Sequence, residues 1–305
     1  MRIPASRSIL LVALIVVSLG AGWFFLRGKE TQETRDIRTL ANAKAPWAEQ
    51  AQALMRLSIT QKPEALEFIR KKTGSTEDRL APWATRALGY FSSPESVELL
   101  RGQLQSKVPA VREAAIEALG TRPSPEKIRL LDEAKAQAKG DLENARLKMI
   151  SLRLASEPEA KSSLARGVIR ELERKNLDPA ARELLLGQIF FQSPRTREVE
   201  SYFAGLSARV GETDEAAALA VIRALKIYCP ANRFHIFKQS LARTSLSAPA
   251  RARILNELIF HGGSEAREIL SSSGTGIAPI FLENLRKRLD DSAAQSPCSP
   301  SRSGS

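Results

Sequence analysis

From residue 45 onward, apolar residues recur at helical spacing, and prolines divide them at nearly constant intervals. Pro63, Pro94, Pro125, Pro158, Pro194 and Pro230 are separated by 31, 31, 33, 36 and 36 residues, and Glu64, Glu95, Glu126 and Glu159 follow the first four. Proline at the first helical position gives up only an N–H that has no intrahelical acceptor. Glutamate in the same turn complements the positive helix end. Ser93, Ser124 and Ser193 directly precede their prolines and are predicted N-caps. Thirty-four residues beyond Pro230 the chain reads Ser264-Glu265, another helix start without proline. Between these points lie first helices: Val111, Ala115, Ala118 and Leu119 at helical spacing, then Leu184 to Ile189, Leu219 to Leu225 and Ile254 to Ile259. Pro46, Pro82, Pro179 and Pro249 open several of them, and Gly120 is expected to end one as a left-handed cap. Two helices per period predict an all-α chain: an α-solenoid of about seven antiparallel helix pairs between residues 45 and 272. A final helix from Ile277 to Leu289 caps it, so the repeat domain spans 45–289. Residues 30–44 are polar and are expected to be a linker or a fraying helix. The tail 290–305 holds almost no apolar residues to offset its ordering entropy and is expected to be disordered.

Ahead of the array, Ile9 to Leu26 runs eighteen residues without a charge. As a helix rising about 1.5 Å per residue it spans about 27 Å, close to the hydrocarbon thickness. Arg2 and Arg7 precede it, Arg27 and Lys29 follow, and Trp23, Phe24 and Phe25 lie where an aromatic belt forms. It reads as a single transmembrane helix within residues 1–29. Ser18-Leu19-Gly20 also suits cleavage of a secretory signal, and that alternative stays open. The expected location is the inner (cytoplasmic) membrane, single-pass, with the repeat domain on the periplasmic or extracytoplasmic side. Basic residues after the segment outnumber those before it and argue the other way, but long domains translocate largely regardless of charge.

VPAVREAAIEALG, Val108 to Gly120, resembles the first-helix pattern of bacterial HEAT-like repeats, in which a proline or acid opens the helix, then Val-Arg, then Ala-Leu-Gly. RLAPWATRALG, Arg79 to Gly89, is similar, with Ala81 where the arginine belongs. The other repeats match in periodicity. The resemblance implies nested antiparallel helix pairs, a concave face lined by second helices, and binding of protein or nucleic acid rather than catalysis.

Composition agrees with helices. Ala, Leu, Arg and Glu dominate, and aromatics are limited to 11 Phe, 3 Trp and 3 Tyr. The charge of +12, from 46 Lys and Arg against 34 Asp and Glu, attracts anions. It is spread along the chain without a run of five like charges, as on an ordinary basic surface.

Little in the sequence points to chemistry. No metal-protease, P-loop or dinucleotide motif occurs. His235 and His261 are isolated, and the His-Glu dipeptides of HEAT-like metal hydroxylases are missing. Ser124 and Lys127 fit a loose acyl-serine pattern, but Ser124 occupies the repeating cap position. Cys229, before Pro230, is read in that same position, and with Cys298 in the tail no disulfide framework is legible. Trp47 and Trp83 both follow Ala-Pro and are expected to pack between repeats.

Catalytic, cofactor and metal sites are therefore expected to be none. The candidate partner-binding residues are bases of the second helices: Arg70, Lys71, Lys72, Arg101, Lys127, Arg129, Arg166, Arg170, Arg174, Arg233 and Lys238. Arg166, Arg170 and Arg174 share one helical face. The reading is a membrane-tethered scaffold for an acidic protein partner, with no small-molecule substrate. Nucleic-acid or other polyanion binding through the basic face is the alternative. A HEAT-like enzyme of glycosylase or lyase type is the third possibility.

Overall fold

The computed structural model describes residues 31–73, 79–193, 195–273, 277–292 and 298. The Ile9–Leu26 segment lies outside them, and no helix among the described residues is long and apolar enough to cross a membrane. The described chain is helical and contains no strand.

Helix α1 (Gln32–Ala41) precedes seven pairs in sequence order: α2 (Trp47–Ile59) and α3 (Pro63–Lys72); α4 (Ala81–Ala87) and α5 (Pro94–Leu104); α6 (Pro109–Leu119) and α7 (Pro125–Ala136); α8 (Asp141–Leu154) and α9 (Pro158–Leu172); α10 (Pro179–Gln192) and α11 (Arg197–Ala208); α12 (Glu215–Tyr228) and α13 (Arg233–Leu241); α14 (Ala248–Leu258) and α15 (Gly263–Ser272). Helix α16 (Pro279–Ser292) follows. Short 3₁₀ turns extend α4 over Leu88–Tyr90 and α14 over Ile259–His261. Packing divides the chain into two compact units, one ending at Lys127 and the other beginning at Ile128.

The prolines mark helix starts as their chemistry requires at four of the six points: Pro63, Pro94, Pro125 and Pro158 open α3, α5, α7 and α9. The Ser93 hydroxyl accepts from the Ser96 amide at 3.2 Å, and the Ser124 hydroxyl from the Lys127 amide at 3.3 Å. The later two points differ. Pro194 lies outside the described residues, and α11 begins at Arg197 with Thr196 before it. Ser193 is therefore not an N-cap but the buried residue that ends α10. Pro230 sits in a turn ahead of α13, because Cys229 ends α12 in a left-handed conformation (φ 43°, ψ 50°).

In the first unit, α2 packs on α4 and α4 on α6, first helix on first helix. The contact is built from small residues: Ala53, Ala84, Ala87, Ala114, Ala115 and Ala118 are fully buried with Leu54, Leu88 and Leu119. Small side chains let helix backbones approach, which gives the Ala-Leu-Gly ending its physical meaning. A Cβ on Gly89 would lie 2.9 Å from the Ala118 carbonyl oxygen and 2.8 Å from Thr121 Cβ. Gly89 is required for close approach. Gly120 has φ −91° and is a right-handed C-cap, not the left-handed one expected.

Residues 32–41 are more than a spacer. Helix α1 packs on α2 and α3. Asp36 is buried and accepts two hydrogen bonds from the Arg56 guanidinium, at 2.8 and 2.6 Å. The bond to Arg56 holds the carboxyl below the usual carboxylate range.

In the second unit, α8, α10, α12 and α14 stack in succession, and α9 packs on α11 and α13 on α15. One continuous core runs from Ala145 to Leu289. At its centre Phe203 stacks on Tyr228 with ring centroids 4.2 Å apart, and Phe190 meets Phe203 edge-on at 5.7 Å. The α16 helix covers the last pair through Leu285 and Leu289, as the expected cap.

The close approach at Gly89 predicts opposite signs for two Gly→Ala changes. Gly89→Ala overpacks the α4–α6 contact and destabilises by about 1–3 kcal/mol. Gly102→Ala, in open space on α5, stabilises by about 0.5–1 kcal/mol. Urea unfolding of both variants checks the pair.

Candidate functional site

The second-helix bases stand mostly against acids of their own unit. The Arg70 guanidinium bonds Glu95 of the next second helix, with Nε at 2.8 Å from Oε1. Arg166 Nη1 lies 2.7 Å from Glu198 Oε1, and Lys238 Nζ 2.9 Å from Glu268 Oε1, again one pair onward. Arg174 bonds Glu171 and lies 3.3 Å from Asp141. Lys71 pairs with Glu67 at 2.7 Å, and Arg101 lies 3.4 Å from Glu98. Lys72 and Arg233 lie over the rings of Phe68 and Phe234. Arg129 and Arg170 are exposed. The three arginines of the supposed stripe thus do not act alike: Arg166 and Arg174 tie neighbouring elements together, and Arg170 faces solvent.

Lys127 is no surface group at all. Its side chain is completely buried, and its ammonium donates to the Gly89 carbonyl at 2.6 Å and the Arg122 carbonyl at 3.0 Å. Burial, with Arg122 nearby, pushes its pKa down to about 8. It closes the end of the Ala-Leu-Gly turn and cannot meet a partner.

First-helix arginines also serve the fold. Arg112 donates to the Ser106 carbonyl at 2.8 Å, Arg182 to Leu172 at 2.9 Å and Arg251 to Leu241 at 2.7 Å. Each takes a carbonyl at or just beyond the end of the preceding second helix, where helix geometry leaves acceptors without donors. Arg182 also reaches Asp214 of the next first helix at 2.8 Å.

His261 is core: it is buried, and its ring meets Phe237 edge-on with centroids 5.2 Å apart. Burial pushes its pKa down to about 4, with Arg233 and Lys226 adding to the effect. His235 is exposed on α13. The cysteines overturn the sequence expectation. Cys229 and Cys298 form a disulfide across 69 residues, with Cα atoms 5.4 Å apart. Cys298 Sγ lies 3.7 Å from His261 Nδ1. The rest of the tail expected to be disordered, beyond the end of α16, lies outside the described residues. No group of three or more His, Cys, Asp or Glu that could hold a metal occurs among the described residues. Trp83 is half-buried beneath the Arg86 guanidinium, at 5.3 Å, whereas Trp47 is 45% exposed and does not fill the packing role expected of it.

Among the described residues, a concave feature with binding character lies on first helices, a placement the sequence did not suggest. An open-sided groove of about 520 Å³ crosses α10, α12 and α14 and is bordered by α16. Gly187, Ala216, Ala220 and Ala252 form its small-residue floor, with Leu219 and Phe281 as its larger apolar groups. Arg223 and Arg253 line it and are exposed, as is Glu183; Glu257 lies 3.7 Å from Lys226. Beside it, exposed Phe191 lies under Arg223 and Lys226, each 5.9 Å from its ring, and Lys226 also lies 5.8 Å from the ring of exposed Phe260. The signal available in the sequence was the recurrence of small residues on the outward side of three successive first helices. Without the packing it could not be separated from core alanine.

Two consequences are measurable. An unfolded lysine titrates near 10.4, whereas folded Lys127 does so near 8. Between these values the unfolded chain binds more protons, so stability rises with pH. Wild-type stability should gain on that of Lys127→Met between pH 7.5 and 9.5 in urea titrations; parallel curves would exclude the assignment. The disulfide predicts no reactive thiol in the denatured, unreduced chain and two after reduction. Removing it should destabilise the second unit by up to about 4 kcal/mol, the entropy of closing a loop of this length, as read by unfolding with and without reductant.

A family model described as HEAT repeats matches residues 66–147, less than half of the chain. That stretch takes in α4 to α7 and the Ala-Leu-Gly turns. No curated protein matches. Among solved structures, that of human deoxyhypusine hydroxylase in complex with glycerol aligns over 86% of this chain and 96% of that chain, at 17% identity and a TM-score of 0.35. At that score the similarity carries neither fold nor activity across. The family match makes residues 66–147 similar to HEAT repeats, and the secondary structure of the described residues is entirely helical.

Proposed function

We propose that this protein is a membrane-tethered scaffold that binds an acidic protein partner on its helical surface. The observation that carries the reading is the groove across α10, α12 and α14, a preformed depression on the outward side of three consecutive first helices. Repeat arrays offer long surfaces and few enclosed pockets, which suits protein partners. Pairing of Arg70, Arg166, Arg174 and Lys238 with acids weakens the polyanion alternative, because a phosphate backbone needs cations left available to it.

The tether is the Ile9–Leu26 segment, and the repeats lie on the extracytoplasmic side of the inner membrane. The Cys229–Cys298 disulfide supports that side, since disulfides persist in oxidising compartments.

The test uses the full chain in its own membranes. It should stay in the pellet after carbonate extraction at high pH. A C-terminal reporter that is active only outside the cytoplasm should be active. Chemical cross-linking should yield a reproducible protein adduct. A soluble form beginning near Ala21, a silent reporter, or adducts to nucleic acid alone would refute the respective parts.

A further inference from the structure

The groove across α10, α12 and α14 carries charges that say what fits it.

Four cations of this unit pair with an acid one repeat onward. Arg182 pairs with Asp214, Arg166 with Glu198, Lys226 with Glu257 and Lys238 with Glu268. Arg223 and Arg253 depart from that pattern. Both are exposed on the groove, and neither makes an ion pair with a carboxylate among the described residues. Arg223 lies over the ring of Phe191, 5.9 Å from its centroid. Guanidinium groups held on helices present planar forks that match carboxylates. The floor beneath them is Gly187, Ala216, Ala220 and Ala252, and a Cβ on Gly187 would meet nothing within 4 Å. A chain segment can therefore lie close to the helix backbones with an apolar side chain against Phe281.

Glu183 and Glu257 line the same groove. A nucleic-acid backbone would bring its evenly spaced negative charges against both. A polypeptide can place carboxylates at two positions and leave the others neutral. Charge complementarity thus selects a peptide with a few discrete acids over a polyanion.

We infer that the groove across α10, α12 and α14 takes a segment of another protein that carries two Asp or Glu side chains flanking an apolar residue. Arg223 and Arg253 bind the two carboxylates. The arginines stand on neighbouring packed helices, and packed helix axes in general lie about 9 Å apart. The matching acids are about three residues apart in an extended segment. This inference rests on the scaffold reading and deepens it.

The experiment places a photoreactive benzoylphenylalanine at Ala252 in the groove or, separately, at Arg170 on α9, in the full chain in its own membranes. Cross-linked peptides are sequenced by mass spectrometry. The Ala252 probe should mark a segment of another protein with two acids within about ten residues of the adduct. Arg223→Glu with Arg253→Glu should lower that yield by about ten-fold or more, as loss of charge-assisted contacts requires, with an unchanged melting curve. If the double variant melts early, Arg223→Gln with Arg253→Gln replaces it and should lower the yield in the same direction. An adduct to nucleic acid, to lipid, to a second copy of this chain, or to an acid-free segment overturns the inference. So does a yield that neither variant pair changes. Protein adducts from Arg170 with none from Ala252 overturn the groove and leave the scaffold standing. No protein adduct from either position overturns both.

Discussion

Every helix ends in carbonyls that have no donor of its own, and this constraint organises the repeats. An isolated helix gives those groups to water. In a stack, the next helix covers them and must supply donors. Arg112, Arg182 and Arg251 do so, each from the first turn or so of a first helix to the end of the preceding second helix. Lys127 does the same from a second helix, reaching the carbonyls of Gly89 and Arg122. Long basic side chains are suited to this, because an apolar stem can cross the alanine-rich contact while the charged head meets oxygen. The Val-Arg of the first-helix pattern is thus a connection between helices before it is a surface charge.

That use of basic residues changes the meaning of the net charge. A chain of +12 reads as an attractor of anions, yet several bases in the described structure point at carbonyls or at acids one repeat onward. The acids of the Pro-Glu starts take part: Glu95 sits in the first turn of α5 and receives Arg70 from the preceding second helix. A residue that reads as a helix-dipole partner therefore also sets the spacing between repeats. Exposed pairs of this kind contribute little stability each, about 1 kcal/mol or less. Their repetition at a separation near 30 residues fixes register more than strength. Cations outside that pattern, such as Arg223 and Arg253, are the more informative ones.

The period of the array was legible in the sequence because proline, acid and serine act within one helical turn. The starts at Pro63, Pro94, Pro125 and Pro158, the seven pairs and the final cap needed no knowledge of neighbours. Side-chain destinations did. Lys127 and Arg129 are two residues apart on one helix, and only packing distinguishes the buried from the exposed one. Gly89 and Gly120 end the same motif, yet Gly89 is required by the Ala118 carbonyl against it rather than by backbone angle. Pro230 failed as a helix start because Cys229 already occupies a left-handed turn. The groove was the least legible feature, since its floor is made of small residues of the kind that also build the core.

The disulfide shows how one end of a stack is completed. A terminal repeat lacks a neighbour on one side, so part of its apolar face needs another cover. Helix α16 supplies one over α15 and the turn at Ile259–His261. Beyond it, Cys298 is fixed to Cys229 at the end of α12 and brings its sulfur against His261. A histidine held there uncharged loses its advantage in acid. With a folded value near 4 against about 6.5 in the unfolded chain, the unfolded state takes up a proton first. Stability supplied by this site is therefore complete above about pH 6.5 and falls as pH drops toward 4. The same end of the array thus joins a covalent closure to an acid-sensitive one, and both act on the helices that border the groove.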